Sequence, residues 1–163
     1  MNKKVAFFSL SVLFIAALFI WTYNLVQADH WREQNAAVKR AVSVGDAVYG
    51  LQKVDDTDWF NGDKSYTIIF GRDADNRRII AWVSDTDVHM EYADEGISRK
   101  QAENLVKAET PKAVIIRAVP GVLNDTYVWE VYYKANIEGA TKYFYAYYRF
   151  ADGKRLDKLY LNS

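Results

Sequence analysis

The chain has 163 residues, with 21 basic and 21 acidic side chains and no cysteine. That balance offers no basic face of the kind nucleic acid requires. The missing thiols exclude a disulfide framework, though not export.

The first 26 residues differ from the rest. Lys3 and Lys4 lead into an apolar run over residues 5–21, interrupted only by Ser9 and Ser11. Extended to Val26, the run makes a helix of roughly 33 Å, enough to cross a bilayer. Trp21 and Tyr23 fall where interfacial aromatics belong. Residues 26–28 (VQA) could serve as a signal-peptidase site, but the apolar stretch exceeds the usual 7–15 residues or so of a signal core, which favours an uncleaved anchor. The leading lysines favour a short cytoplasmic tail with the body outside, although Arg32, Lys39 and Arg40 follow on the other flank. Beyond residue 26 the body keeps all 21 acids and 19 of the 21 basic residues, a net charge of −2.

Residues 31–44 place Trp31, Val38, Ala41 and Val42 at helical spacing, and Gly45 can end that helix. Strand-like runs follow at 48–54, 65–71, 78–84 and 87–93, separated by turn-rich NGDK at 61–64 and DADN at 73–76. The order then restarts. Residues 97–111 predict a helix capped by Ser98, with Gln101 completing a capping box and Pro111 blocking continuation. Extended runs at 113–119, 126–135, 141–151 and 155–161 complete the chain. Helix then strands, twice, predicts an α+β fold: a tail and transmembrane helix at 1–27, then two modules at 28–95 and 96–163, each one helix packed on an antiparallel sheet. Modules of about 65 residues bury little core alone, so the two are expected to pack together.

Residues 143–150 hold six aromatic rings in eight positions. Alternation along a strand puts Phe144, Ala146, Tyr148 and Phe150 on the core face, leaving Tyr143, Tyr145, Tyr147 and Arg149 outward. On the preceding strand Tyr127, Trp129, Val131 and Tyr133 read as core, with Glu130, Tyr132 and Lys134 beside the outward tyrosines. Tyrosine with arginine is the composition of interface anchors. The candidate partner-binding face is therefore Tyr132, Tyr143, Tyr145, Tyr147 and Arg149. The bland alternative is that the same rings stabilise the sheet by cross-strand pairing or pack against the first module.

Candidate chemistry is sparse. His30 adjoins the apolar segment and His89 sits mid-strand, neither in a zinc spacing nor beside an evident nucleophile. The acidic runs at 55–58 and 73–76 lack the ligand spacing of a calcium loop and read as turns. No glycine-rich phosphate loop is present, and no carboxylate pair stands out. The expectation is a non-enzymatic protein without metal or cofactor.

The layout and several phrases resemble a known family. A lysine-led anchor is followed by two helix-plus-sheet units, the second opened by ISRKQAENLVKA and closed by YVWEVYYKA and YAYYRFADGKRLDKLYL. The chain is similar to the TseB (YpmB) family of Gram-positive cell-wall elongation regulators. Its body looks like a pair of cystatin-like modules, the second PepSY-like, with Trp129, Glu130, Val131 and Asp152, Gly153, Lys154 in the positions of the PepSY phrases. The closing RLDKLYL departs from the more regular last strand of PepSY units. The resemblance implies a single-pass cell-membrane protein with an extracytoplasmic body, binding a penicillin-binding protein of the peptidoglycan elongation machinery. Alternatives are a PepSY- or cystatin-type modulator of an exported peptidase, or a peptidoglycan-binding module whose rings stack on glycan.

Overall fold

The computed structural model describes residues 50–161, residues 35–43, and the single positions Leu18, Trp21, Thr22 and Arg32. Apart from three positions, the expected membrane anchor lies outside the described residues, as do the signal-peptidase site and His30. Among those described, no helix is long and apolar enough to cross a membrane. Residues 37–163 form one compact unit.

Two four-stranded antiparallel sheets build that unit, each in simple sequence order. The first contains β1 (Lys53–Asn61), β2 (Ser65–Arg72), β3 (Arg78–Val83) and β4 (Val88–Tyr92). The helix α2 (Arg99–Glu109) leads into the second, formed by β5 (Val114–Leu123), β6 (Thr126–Ile137), β7 (Ala140–Arg149) and β8 (Arg155–Leu161). Ahead of the first sheet, residues 35–43 are helical (α1). Ala37 and Ala41, one turn apart on α1, are buried against Leu51, Ile69 and Ile79. Arg40 ties the helix to the β3–β4 turn by donating to the Ser84 and Asp85 carbonyls at 2.6 and 2.8 Å.

One strand departs from expectation. A strand over 48–54 with a turn at 55–58 is predicted, whereas β1 begins at Lys53 and carries Asp55, Asp56 and Asp58 within it. The acids are tolerated because cations meet them. Asp55 pairs with Lys53 at 2.8 Å and Arg72 at 2.6 Å, and Asp58 pairs with Arg117 at 2.6 Å. A bulge between Val54 and Asp56 absorbs the irregular register. The stretch at 73–76 is the turn its composition predicts: Asp73 Oδ1 accepts the Arg77 N–H at 2.8 Å, and Asn76 adopts a positive φ of 63°.

Strand β3 is buried on both faces. Ile80 and Trp82 point into a cluster shared with Val119, Trp129 and Phe150 of the second half, while Ile79, Ala81 and Val83 join Ala37, Ala41 and Met90. The two sheets thus share one core, as the small size of each unit requires.

Helix α2 has the predicted capping box: Ser98 Oγ accepts the Gln101 N–H at 3.3 Å and Gln101 Oε1 accepts the Ser98 N–H at 2.7 Å. Its inward Ala102 and Val106 are buried. The alternation read along β6 and β7 holds in part: Trp129, Val131, Tyr133, Ala146, Tyr148 and Phe150 are buried and Tyr127 and Phe144 half-buried, but Val128, Glu130 and Tyr147 of the face read as outward are buried as well. Two buried polar tips find partners, since Trp129 Nε1 donates to the Ile97 carbonyl at 2.7 Å and the Tyr148 hydroxyl donates to Glu109 at 3.4 Å, whereas the buried Trp82 Nε1 has none among the described residues. Strand β5 runs on through Pro120, a residue without an N–H that an edge strand accommodates. Gly121 follows because the Phe60 ring lies 2.3 Å from where its Cβ would stand.

Candidate functional site

The face of the second sheet bearing the tyrosines is set by strand register. Across β6 and β7, Lys134 stands opposite Tyr143, Tyr132 opposite Tyr145, Glu130 opposite Tyr147, and Val128 opposite Arg149. Directly opposed residues share a face. The neighbouring strands add Arg117 and Val114 from β5, and Asp157 and Leu159 from β8.

The five sequence-predicted residues do not play equal parts. Tyr132 is the hub, its ring stacked 4.6 Å from Tyr145 and 6.0 Å from Tyr143. Tyr143 is 36% exposed, and Tyr145 is half-buried. Tyr147 is instead buried, only 8% exposed, and its hydroxyl donates to Glu130 Oε2 at 3.0 Å. Arg149 is engaged by Asp152, through Nε to Oδ1 at 2.8 Å and a second, shorter contact from its terminal nitrogen. That pair clamps the turn into β8, where Gly153 takes a φ of 73°. The stripe is thus open at the Tyr143 end and closed at the Tyr147 end.

The electrostatics follow from burial. Desolvation pushes the Glu130 carboxyl above its ordinary range, with the Tyr147 hydrogen bond and the Arg117 charge opposing. Burial and then the Glu130 charge push the Tyr147 and Tyr145 hydroxyls up, so both stay protonated near neutrality. Arg149 and the Lys154 N–H hold Asp152 down at about 2.

Several members of this surface escape sequence reading. Leu159 and Val114 are 47% and 54% exposed and stand opposite Tyr145 and Lys134. Arg117, opposite Tyr132, reaches across to Asp58 and to the Trp59 carbonyl, and its guanidinium lies 5.0 Å from the half-exposed Trp59 ring. The register of β8 with β7 would have exposed Leu159. The Arg117–Trp59 link joins positions 58 apart, and no local pattern signals it.

Elsewhere the chemistry-bearing groups are engaged in packing. His89 lies flat on Tyr127 with ring centroids 3.9 Å apart, and its Nε2 is 2.9 Å from Glu91. Burial pushes the Tyr127 hydroxyl up to about 12, so it stays protonated near neutrality. Among the described residues no three His, Cys, Asp or Glu side chains gather as a metal-ligand set.

The fold has relatives. Residues 48–84, spanning β1 to β3, match the cell wall elongation regulator TseB-like domain. The YpmB protein from Bacillus subtilis has a similar structure, with a TM-score of 0.64 and 25% identity, over 76% of this chain and 96% of that one. A putative lipoprotein from Clostridium difficile 630 aligns over 77% of this chain and 93% of its own at a TM-score of 0.37 and 12% identity. No curated protein matches the sequence. The domain match falls on the first sheet and the YpmB likeness runs through most of the chain, so this protein is TseB/YpmB-like in sequence and fold.

Proposed function

We propose that the chain is a non-enzymatic regulator of cell-wall elongation that docks, through the open end of its tyrosine face, onto a penicillin-binding synthase. The apolar segment at 5–26 holds it at the cell membrane with the body outside. The modules at 28–95 and 96–163 are cystatin-like, the second PepSY-like. The observation that carries the docking role is the exposed Tyr143, Val114 and Leu159 around the half-buried Tyr132, on strands whose opposite face is already filled by core. Aromatic rings around a small apolar centre are the usual content of binding hot spots. Tethering raises the effective concentration beside a membrane-bound partner, so a modest interface suffices.

The test is photocrosslinking in living cells from a probe at position 145, with Tyr143→Ser and Leu159→Ser combined in the variant. Both side chains are over a third exposed, so their loss should leave the melting temperature within about 2 °C. Loss of two hot-spot contacts should cut adduct formation with the synthase about ten-fold or more. Undiminished adducts would remove the docking face. Adducts with an exported peptidase, or co-sedimentation with purified peptidoglycan that the variant abolishes, would transfer the role to those partners.

A further inference from the structure

A cleft of about 280 Å³ opens between the first sheet and the start of α2, away from the tyrosine face. Its floor is apolar, formed by Phe70, Ile80, Ile97 and Trp129. The floor is also fixed. The Trp129 indole is held by its bond to the Ile97 carbonyl, and the Ile97 N–H donates to the Phe150 carbonyl at 2.7 Å.

Two guanidiniums border this floor, and neither has an acid partner among the described residues. Arg99 lies over the Phe70 and Trp129 rings, 5.5 and 5.9 Å from their centroids, and Arg78 lines the cleft from the start of β3. The neighbouring arginines on the same hairpin are paired, Arg72 with Asp55 and Arg77 with Asp94. Arg99 also runs against local preference. It opens α2, whose first turn has no acid, where the helix dipole favours negative charge. Local rules broken in this way are expected at functional positions. At the rim, Asp55 is neutralised by Lys53 and Arg72, while the exposed Asp56 carboxylate makes one local bond, to the Thr57 N–H at 2.9 Å.

We infer that this cleft binds the C-terminal end of an extended peptide. Arg99 and Arg78 take the terminal carboxylate, the last apolar side chain lies on the Phe70–Trp129–Ile80 floor, and Asp56 accepts a preceding backbone N–H. Charge complementarity selects this occupant. Two guanidiniums without an acid partner among the described residues call for an anion, and charge-assisted bonds to a planar carboxylate suit arginine. The carboxylate at the rim calls for a donor, which a peptide supplies and a fatty acid does not. The volume lies at the lower end of ligand sites, matching one or two residues rather than a long segment. The dipole of α2 itself contributes little, because Ser98 and Gln101 already cap its first turn.

The test is isothermal titration of the full-length chain in detergent with acetyl-Ala-Ala-Leu, its C-terminal amide, and octanoate. The free acid should bind, and amidation should weaken it about ten-fold or more, the equivalent of one lost charge-assisted bond. Arg99→Gln and, separately, Arg78→Gln should each weaken the acid about ten-fold while leaving the melting temperature within about 2 °C. Asp56→Ala should weaken the peptide but not octanoate. Equal affinity for acid and amide, octanoate binding as tightly as the peptide, insensitivity to both arginine variants, or no heat at about 5 mM peptide would each overturn the assignment.

Discussion

Replacing Tyr147 by phenylalanine isolates the closed end of the tyrosine face. The variant keeps the ring and removes only the hydroxyl that donates to Glu130 Oε2 at 3.0 Å. Glu130 is 9% exposed and has Val119 and Val128, both fully buried, as neighbours in the sheet. Its charged form therefore loses a bond that water does not readily replace, at a cost of about 2 kcal/mol near neutrality. Burial raises the folded carboxyl above its unfolded value of about 4.3, so its contribution to stability is fully present below that value. It declines as the pH rises through the folded value, and the Tyr147 hydroxyl moderates that decline by favouring the ionised form. Removing the hydroxyl thus costs more at pH 7.5 than at pH 4, where a neutral carboxyl loses only about 1 kcal/mol. Urea titrations followed by circular dichroism at the two pH values measure the difference, and the neutral-pH cost should appear as a fall of about 4–8 °C in Tm. A cost that is equal at both pH values, or below about 0.5 kcal/mol at neutrality, would show that Glu130 is not confined as its surroundings indicate.

Two further substitutions test the packing. Gly121→Ala places a methyl group 2.3 Å from the Phe60 ring and should cost about 1–3 kcal/mol, read as a shifted urea midpoint with unchanged slope. Ser98→Ala removes one arm of the capping box and should cost about 1 kcal/mol by the same measurement, with Ser98→Thr largely restoring it.

Elements with strong local patterns were legible before the structure. The capping box around Ser98 and Gln101 specifies the start of α2, and alternation along β6 and β7 assigns Trp129, Val131, Tyr133, Ala146 and Tyr148 to the core. Strand β1 was not legible, because its aspartates look like a turn until their cations are found. Those cations, Arg72 and Arg117, come from positions 17 and 59 residues away. The tyrosine stripe was legible as a face but not as a gradient. Alternation reports which side of a sheet a ring occupies, not how deeply it is covered, so Tyr147 and Tyr143 look equivalent in sequence. Arg149 is a different case. Its partner Asp152 is only three residues along, and a clamp across an Asp-Gly-Lys turn was open to inspection.

The double burial of β3 bears on how the molecule comes apart. Its odd and even residues feed separate apolar clusters, so a slip of one position would expose Ile80 and Trp82 to the α1 side and strip both clusters together. Melting of either half would strip the packing that Ile80 and Trp82 share with Val119, Trp129 and Phe150. For residues 37–163, differential scanning calorimetry should record one endotherm, with calorimetric and van't Hoff enthalpies in agreement, in a chain whose architecture repeats twice.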